Sequence, residues 1–478
     1  MSDQKQNFIG GAWVEGEPVA NINPSNTTDI IGHYARANEA QTLDAIAAAK
    51  AAFPAWSRSG PLERHAILRR ASDEILARKD ELGTLLSREE GKTLAEGIGE
   101  TVRAAQIFDF FAGEALRLTG ETVPSIRPGV GVEITREAVG VVGIITPWNF
   151  PIAIPAWKLA PALCYGNTVV FKPADLVPGC AWALVDILQR AGLPDGVLNL
   201  VMGRGSVVGQ AIVQSADVDA LTFTGSVPTG TTLAMDSAKL MRKSQMEMGG
   251  KNPFIVLADA DLDVAVDCVT QGAFFSTGQR CTASSRIIVE DAIHDQFLKA
   301  LSERISALKV GDALDPETQI GPVVDQSQLA QNEDYIRIGE AEGARLVTGG
   351  ERLNRPTEGF FQRPALFADC TNDMRIAREE IFGPVATVIR VKDYDAALEV
   401  ANDTDFGLSA GIATNSLKHA THFKRNAEAG MVMVNLPTAG VDFNVPFGGR
   451  KASSFGPREQ GRYAAEFYTT VKTAYTSA

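Results

Sequence analysis

The sequence predicts an α/β protein with two doubly wound domains, and two observations carry that prediction. From Val141 onward short β-branched runs alternate with helix-length segments: VVGIIT, a helix from Pro155, NTVVF, a helix near Cys180 to Gln189, VLNLV, and ALTF at 220–223. That alternation marks βα units and a parallel sheet. A second series begins near Phe254 with FIVL, passes through RIIVE and resumes at PVATVIRV, which calls for a second sheet. At about 150 residues per domain, a chain of 478 residues has room for both.

The flanking segments follow from their own patterns. Residues 39–118 read as helix, because apolar and small residues such as Ile67, Ala71 and Ile75 recur every four positions with charges on the other faces. Residues 119–140 switch to Val, Ile and Thr broken by Pro124, Pro128, Gly129 and Gly131, the pattern of a protruding hairpin. The tail from Phe467, rich in Tyr, Thr and Val, is expected to add an edge strand to another subunit.

Composition narrows the function classes. Lys and Arg total 45 against 58 Asp and Glu, a net charge of -13, which argues against nucleic acid or an anionic membrane surface as a partner. A hydrophobic fraction of 45% and a charged fraction of 22% are ordinary for a globular chain. The five cysteines, Cys164, Cys180, Cys268, Cys281 and Cys370, are too few and too unpatterned for a disulfide framework or a zinc site, so a reducing compartment is expected. The first twenty residues lack a basic start and an apolar stretch, and nowhere do eighteen apolar residues run together, so a cytoplasmic protein is expected.

Several loops at predicted strand ends hold residues suited to chemistry. TPWNFP at 146–151 is a rigid loop, either a packing turn or a mount from which the Asn149 amide donates to an oxyanion. Lys172 ends the next strand, where ligands of open α/β sheets gather, and Asp175 could accept from a ribose hydroxyl. In FTGSVPTG at 223–230, Gly225 admits close backbone approach and Ser226 could donate to a phosphate at a helix start. Gly203, Gly205 and Gly209 nearly spell a dinucleotide fingerprint, with one residue too many between the last pair. Glu247 in EMGGKNP is either a buried partner of a backbone group or a general base of raised pKa. Cys281 in STGQRCTASS is the one cysteine without apolar or helical neighbours, and Arg280 beside it is expected to favour the thiolate. Glu379 and Glu380 read as exposed glutamates opening a turn. His419 and His422 share a helix face with no third ligand, so no metal site is expected.

Taken together, TPWNFP, VVFKPA, FTGS followed by Gly230, EMGGKNP, GQRC, EEIFGPV and PFGGRKASSFG stand in the order of the NAD(P)-dependent aldehyde dehydrogenase superfamily, which the chain resembles over essentially its whole length. IPAWKLAPA, FSTGQRCTASS, AGVDFNVPFGG and PREQG look most like its α-ketoglutarate semialdehyde (2,5-dioxopentanoate) dehydrogenases. The resemblance implies a Rossmann-like cofactor-binding domain from 1–118 and 141–248, a catalytic domain from 249–450, and an oligomerisation arm from 119–140 with 468–478; because nothing in their own domains obviously covers that hairpin and tail, a homodimer or homotetramer is expected. It implies NAD or NADP as cofactor and Cys281, Glu247, Asn149 and Lys172 as the catalytic set. Cys281 would form a thiohemiacetal whose oxyanion meets the Asn149 amide and its own backbone N–H, and Glu247 would activate the water that hydrolyses the thioester. Thr146, Trp148, Lys172, Asp175, Gly205, Gly209, Thr224, Gly225, Ser226, Thr229, Glu380 and Phe382 would hold the cofactor.

Two positions depart from the family pattern. Asp175 stands where NAD-preferring members carry glutamate, which leaves the choice of cofactor open, and Met248 stands where leucine is commoner. A carboxylate-bearing aldehyde is the expected substrate, with Asn149, Trp157, Arg280 and Arg458 as substrate-binding residues. Trp157 stands where relatives specific for succinate semialdehyde carry arginine. That substrate, a neutral aliphatic or aromatic aldehyde, or a thiol hydrolase built on Cys281 and Glu247 are the alternatives.

Overall fold

The computed structural model describes residues 4–477; Met1, Ser2, Asp3 and Ala478, the outermost positions of the expected cofactor domain and of the tail, lie outside the described residues. Four helices follow an N-terminal set of strands: α1 (Glu39–Trp56), α2 (Pro61–Ala77), α3 (Lys79–Glu90) and α4 (Leu94–Ala115). Their ends are written locally. Asn38 and Gln41 form a reciprocal capping box for α1, Pro61 opens α2, α3 stops at the left-handed Gly91, and Thr93 with Glu96 boxes α4. On α2 the buried face carries Ile67, Ala71 and Ile75.

An eight-stranded sheet runs in the order Ser454–Phe455, Lys243–Met248, Ala220–Gly225, Val141–Ile145, Thr168–Lys172, Leu198–Leu200, Asn7–Ile9, Ala12–Val14. Its five central strands are parallel, and antiparallel partners close both edges. Strands Val141–Ile145 and Thr168–Lys172 are buried at every position, as parallel strands covered on both faces must be. The chain winds outward from Val141–Ile145 in one direction, then returns to its other side at Ala220–Gly225. The carboxyl ends of these two adjacent strands therefore form the switch point where such sheets bind ligands.

The second sheet has seven strands in the order Arg345–Thr348, Ala365–Ala368, Val385–Val391, Ser284–Glu290, Asn252–Val256, Ser409–Ala413, Met431–Val434. All are parallel except the first. The chain then returns to the first sheet, where Ser454–Phe455 pairs with the strand carrying Glu247.

The tail departs from expectation. Thr469–Ser477 pairs antiparallel with Val130–Ala138 of its own chain, from Thr469 opposite Ala138 to Ser477 opposite Val130, in a sheet completed by Glu121–Pro124. Both strands are nine residues long, and the short Glu121–Pro124 leaves one whole edge of the hairpin open, so the nearest matching edge is intramolecular. All five cysteines are free. Among the described residues no helix is long and apolar enough to cross a membrane.

Candidate active site

At the switch point a cavity of about 940 Å³ is lined by Trp148 and Asn149 from one strand end, Thr224, Gly225 and Ser226 from the other, Met248 at the end of the next strand, and Cys281, Glu380 and Phe382 from facing loops. The helix Val227–Lys239 opens onto it with no side-chain cap, so its first-turn N–H groups remain for an anion. Ser226 Oγ donates to Thr229 Oγ1 at 3.0 Å. Thr146 and Thr224 keep buried hydroxyls without partners. Trp148 meets Phe382 edge-on at 5.3 Å between centroids. Glu380 accepts the Gly250 N–H at 2.9 Å, and burial pushes its carboxyl up to about 7. A Cβ at Gly249 would lie 2.0 Å from Glu380 Oε2, so only glycine admits this carboxylate. Uncapped helix amides, unpartnered hydroxyls and a shielded acid fit a dinucleotide.

Lys172, Asp175, Gly205 and Gly209 form a separate group that does not line this cavity. Lys172 Nζ donates to the Pro173 carbonyl at 2.8 Å, and its Cδ lies 3.7 Å from where a Cβ on Gly209 would stand. Gly205–Gly209 is a single π-helical turn leading into Gln210–Gln214. Asp175 is held by the Arg36 guanidinium through both oxygens.

Cys281 sits in a turn whose shape is set just upstream. Ser276, Thr277 and Gly278 are all left-handed, at φ of 51°, 57° and 65°, a strain of about 1–3 kcal/mol for each non-glycine residue. Glu96 at the start of α4 holds this turn, accepting from Ser276 N at 2.8 Å and Ser276 Oγ at 3.0 Å. Thr277 Oγ1 donates to the Gly321 carbonyl, and Gln279 Oε1 accepts from Val324 N. The Asn149 amide donates to the Gln279 carbonyl at 3.0 Å, which leaves its second N–H for a reacting oxygen.

Arg280 does not activate the thiol, contrary to expectation. Its Nη2 is 3.0 Å from Glu96 Oε1 and also donates to Ser276 Oγ, so its charge is neutralised. Burial first, and then the Glu380 and Glu247 carboxylates, push the Cys281 thiol up to about 12 against the opposing pull of the Cys281 and Thr282 backbone N–H groups. Glu247 is pushed up to about 8 by burial, partly offset by Ser454 Oγ, which donates to Oε2 at 2.5 Å. Its Oε1 is buried without a partner.

On the other side of Cys281 lies a cavity of about 280 Å³, lined by the α4 face Glu96, Gly99, Glu100 and Arg103, by Lys92, Trp157, Arg280 and Phe447, and by Cys281 itself. Trp157 is buried against Phe447, centroids 5.0 Å apart, with its Nε1 unpartnered. The expected substrate anchor Arg458 is absent from this lining; its guanidinium turns to the Gly449 carbonyl, on the Glu247 side. The neighbouring Glu459 is buried in an ion pair with Lys158, and of this PREQG segment it is Gln460 that reaches the channel lining.

The sequence pattern of the aldehyde dehydrogenase family matches residues 13–474. The chain belongs to that family. It is 44% identical over 483 residues to the α-ketoglutarate semialdehyde dehydrogenase of Haloferax volcanii, covering 100% of both chains. It is 43% identical to the α-ketoglutaric semialdehyde dehydrogenase of Bacillus subtilis, covering 98% of this chain and 97% of that one. Its fold is similar to the betaine aldehyde dehydrogenase of Staphylococcus aureus in complex with NAD+, with a TM-score of 0.97 at 34% identity over 99% of this chain and 95% of that one. As an aldehyde dehydrogenase the protein uses NAD or NADP.

Sequence reasoning missed the polar support beneath the dehydrogenase's reactive loop. Lys92 is fully buried, 2.8 Å from Glu100 Oε2, bonded to the Asn149 carbonyl and 3.7 Å above the Phe150 ring. Glu100 Oε1 accepts the Ile152 and Ala153 N–H groups at 3.1 Å, capping the helix Ala153–Cys164. The Thr93-x-x-Glu96 spacing signals a helix start, but nothing local tells that the same carboxylate also holds a turn 180 residues away.

Proposed function

We propose that this dehydrogenase oxidises a carboxylate-bearing aldehyde, α-ketoglutarate semialdehyde foremost, to the corresponding acid. The observation that carries the reading is that, among the described residues, Cys281 alone lines both cavities. A carbonyl carbon bound to its sulfur has the substrate channel on one side and the dinucleotide cavity on the other. Glu247 in its ionised form takes the thiol proton, directly or through water, and Sγ adds to the aldehyde. The oxyanion meets the free N–H of Asn149 and the backbone N–H of Cys281. NAD or NADP, held in the cavity that Trp148, Ser226, Glu380 and Phe382 line beside Cys281, would supply the hydride acceptor, and loss of hydride from the carbon on sulfur leaves Cys281 as a thioester. Having passed its first proton to solvent, Glu247 deprotonates the hydrolytic water, and the acid leaves with Cys281 restored.

The unpartnered Trp157 Nε1 supports a 2-oxo acid, because it offers a buried donor to a second carbonyl oxygen. Arg36 offsets the charge of Asp175, so both cofactors are expected to work, with NAD favoured because the carboxylate still disfavours a 2′-phosphate. The chain is read as a homodimer or homotetramer assembled through its three-stranded sheet, where Val471 and Tyr475 are exposed. The test is reduced-cofactor absorbance with α-ketoglutarate semialdehyde, succinate semialdehyde, propanal and benzaldehyde. The acidic five-carbon substrate should show the highest kcat/KM, and Cys281→Ala should abolish turnover; a neutral aldehyde in first place would overturn the substrate reading alone.

A further inference from the structure

The substrate channel has an unequal charge ledger. Three cations and two carboxylates line it, and two pairs form: Arg280 with Glu96 and Lys92 with Glu100. Arg103 is left over. Its Nη1 donates to the Val441 carbonyl, and among the described residues no carboxylate lies within ion-pair distance of it, Asp442 acting on it only from further away. A guanidinium has five N–H donors, so most of its fork is free to meet a ligand.

Position fits as well as charge. Glu96, Gly99, Glu100 and Arg103 share one face of α4 by their helical spacing. Arg103 lies seven residues beyond Glu96, about 10 Å along the helix axis, and Glu96 is the residue that holds Arg280 beside the nucleophile. A five-carbon acid semialdehyde has a chain of about 5 Å, with about 3 Å more at each end for the approach to sulfur and for a charge-assisted hydrogen bond. A Cβ at Gly99 would meet no atom within 4 Å, so the wall between the two ends is open.

We infer that Arg103 is the specificity-determining residue of this dehydrogenase, binding the distal carboxylate of the aldehyde in place of Arg458 and Arg280. The inference rests on the reading of the site as one for an acidic aldehyde. It also separates this channel from one for a quaternary ammonium aldehyde. Such a cation would meet Arg103 with like charge, and the Phe150 face that could have stacked on it already carries Lys92.

The experiment compares wild type, Arg103→Gln and Arg103→Lys on α-ketoglutarate semialdehyde, hexanal and betaine aldehyde. In Arg103→Gln, kcat/KM for the acid should fall by roughly 10- to 100-fold through KM, hexanal should change less than about threefold, and betaine aldehyde should improve. Arg103→Lys should recover part of the loss. The hexanal rate reports whether the variant is folded and its nucleophile competent. Parallel losses on all three aldehydes, or an unchanged KM for the acid, would overturn the anchor. A wild type that prefers hexanal would instead overturn the acidic-substrate reading from which the inference starts.

Discussion

Ser454 and Glu247 are 207 residues apart, yet a single hydroxyl proton bears on how the proposed base would work. Burial holds the Glu247 carboxyl near 8, and the Ser454 hydroxyl is the main influence pulling it down. Since the ionised form is the base, turnover limited by thioester hydrolysis should rise with pH through that region. In Ser454→Ala the carboxylate loses its donor, its pKa rises, and the acid limb of the pH–rate profile should move to higher pH. The rate at pH 7 should then fall by roughly 3- to 10-fold; an unmoved limb would mean that Glu247 does not carry the titration. Glu247 itself was legible as a candidate base from its flanking methionines and glycines, because an acid in an apolar run has few bland explanations. Ser454 was not, because its role depends on a two-residue edge strand that no periodicity announces. Arg280 misled for a related reason: adjacency to Cys281 is visible in sequence, whereas its neutralisation by Glu96 is not.

At the scale of elements, α4 is both a wall and a clamp. Its N-terminal carboxylate holds a turn of three left-handed residues, and its next turn, through Glu100, caps the helix after TPWNFP. Glu96→Gln keeps the shape but removes the charge facing Arg280 and weakens the bonds to Ser276. Stability should drop by about 1–3 kcal/mol, read as a lower urea midpoint, with a lower kcat and a KM for NAD close to wild type. Wild-type stability together with wild-type kcat would show that the turn holds itself. The alternating strands and the long helices could be read from the chain because period-2 and period-3.6 patterns are local. The left-handed run could not, since Ser276 and Thr277 are residues that usually avoid that region and adopt it here only through contacts far away in sequence.

For the whole molecule, the tail decides which surface remains free. Thr469–Ser477 covers the Val130–Ala138 edge along nine paired positions, and its own outer face shows Val471 at 59% and Tyr475 at 62% exposure, more apolar surface than a lone sheet edge carries comfortably. Deleting residues 469–478 should strip the hairpin of its longest partner and reduce the particle mass seen by light scattering to that of one chain. An unchanged mass would remove the three-stranded sheet from the assembly. The same late return of the chain has a consequence for biosynthesis. The sheet begun at Asn7 stays unfinished until Ser454–Phe455 pairs beside Glu247, and such long-range pairing forms slowly. A nascent chain that has released Cys281 but not yet Ser454 therefore holds the proposed nucleophile without the hydroxyl that tunes the proposed base.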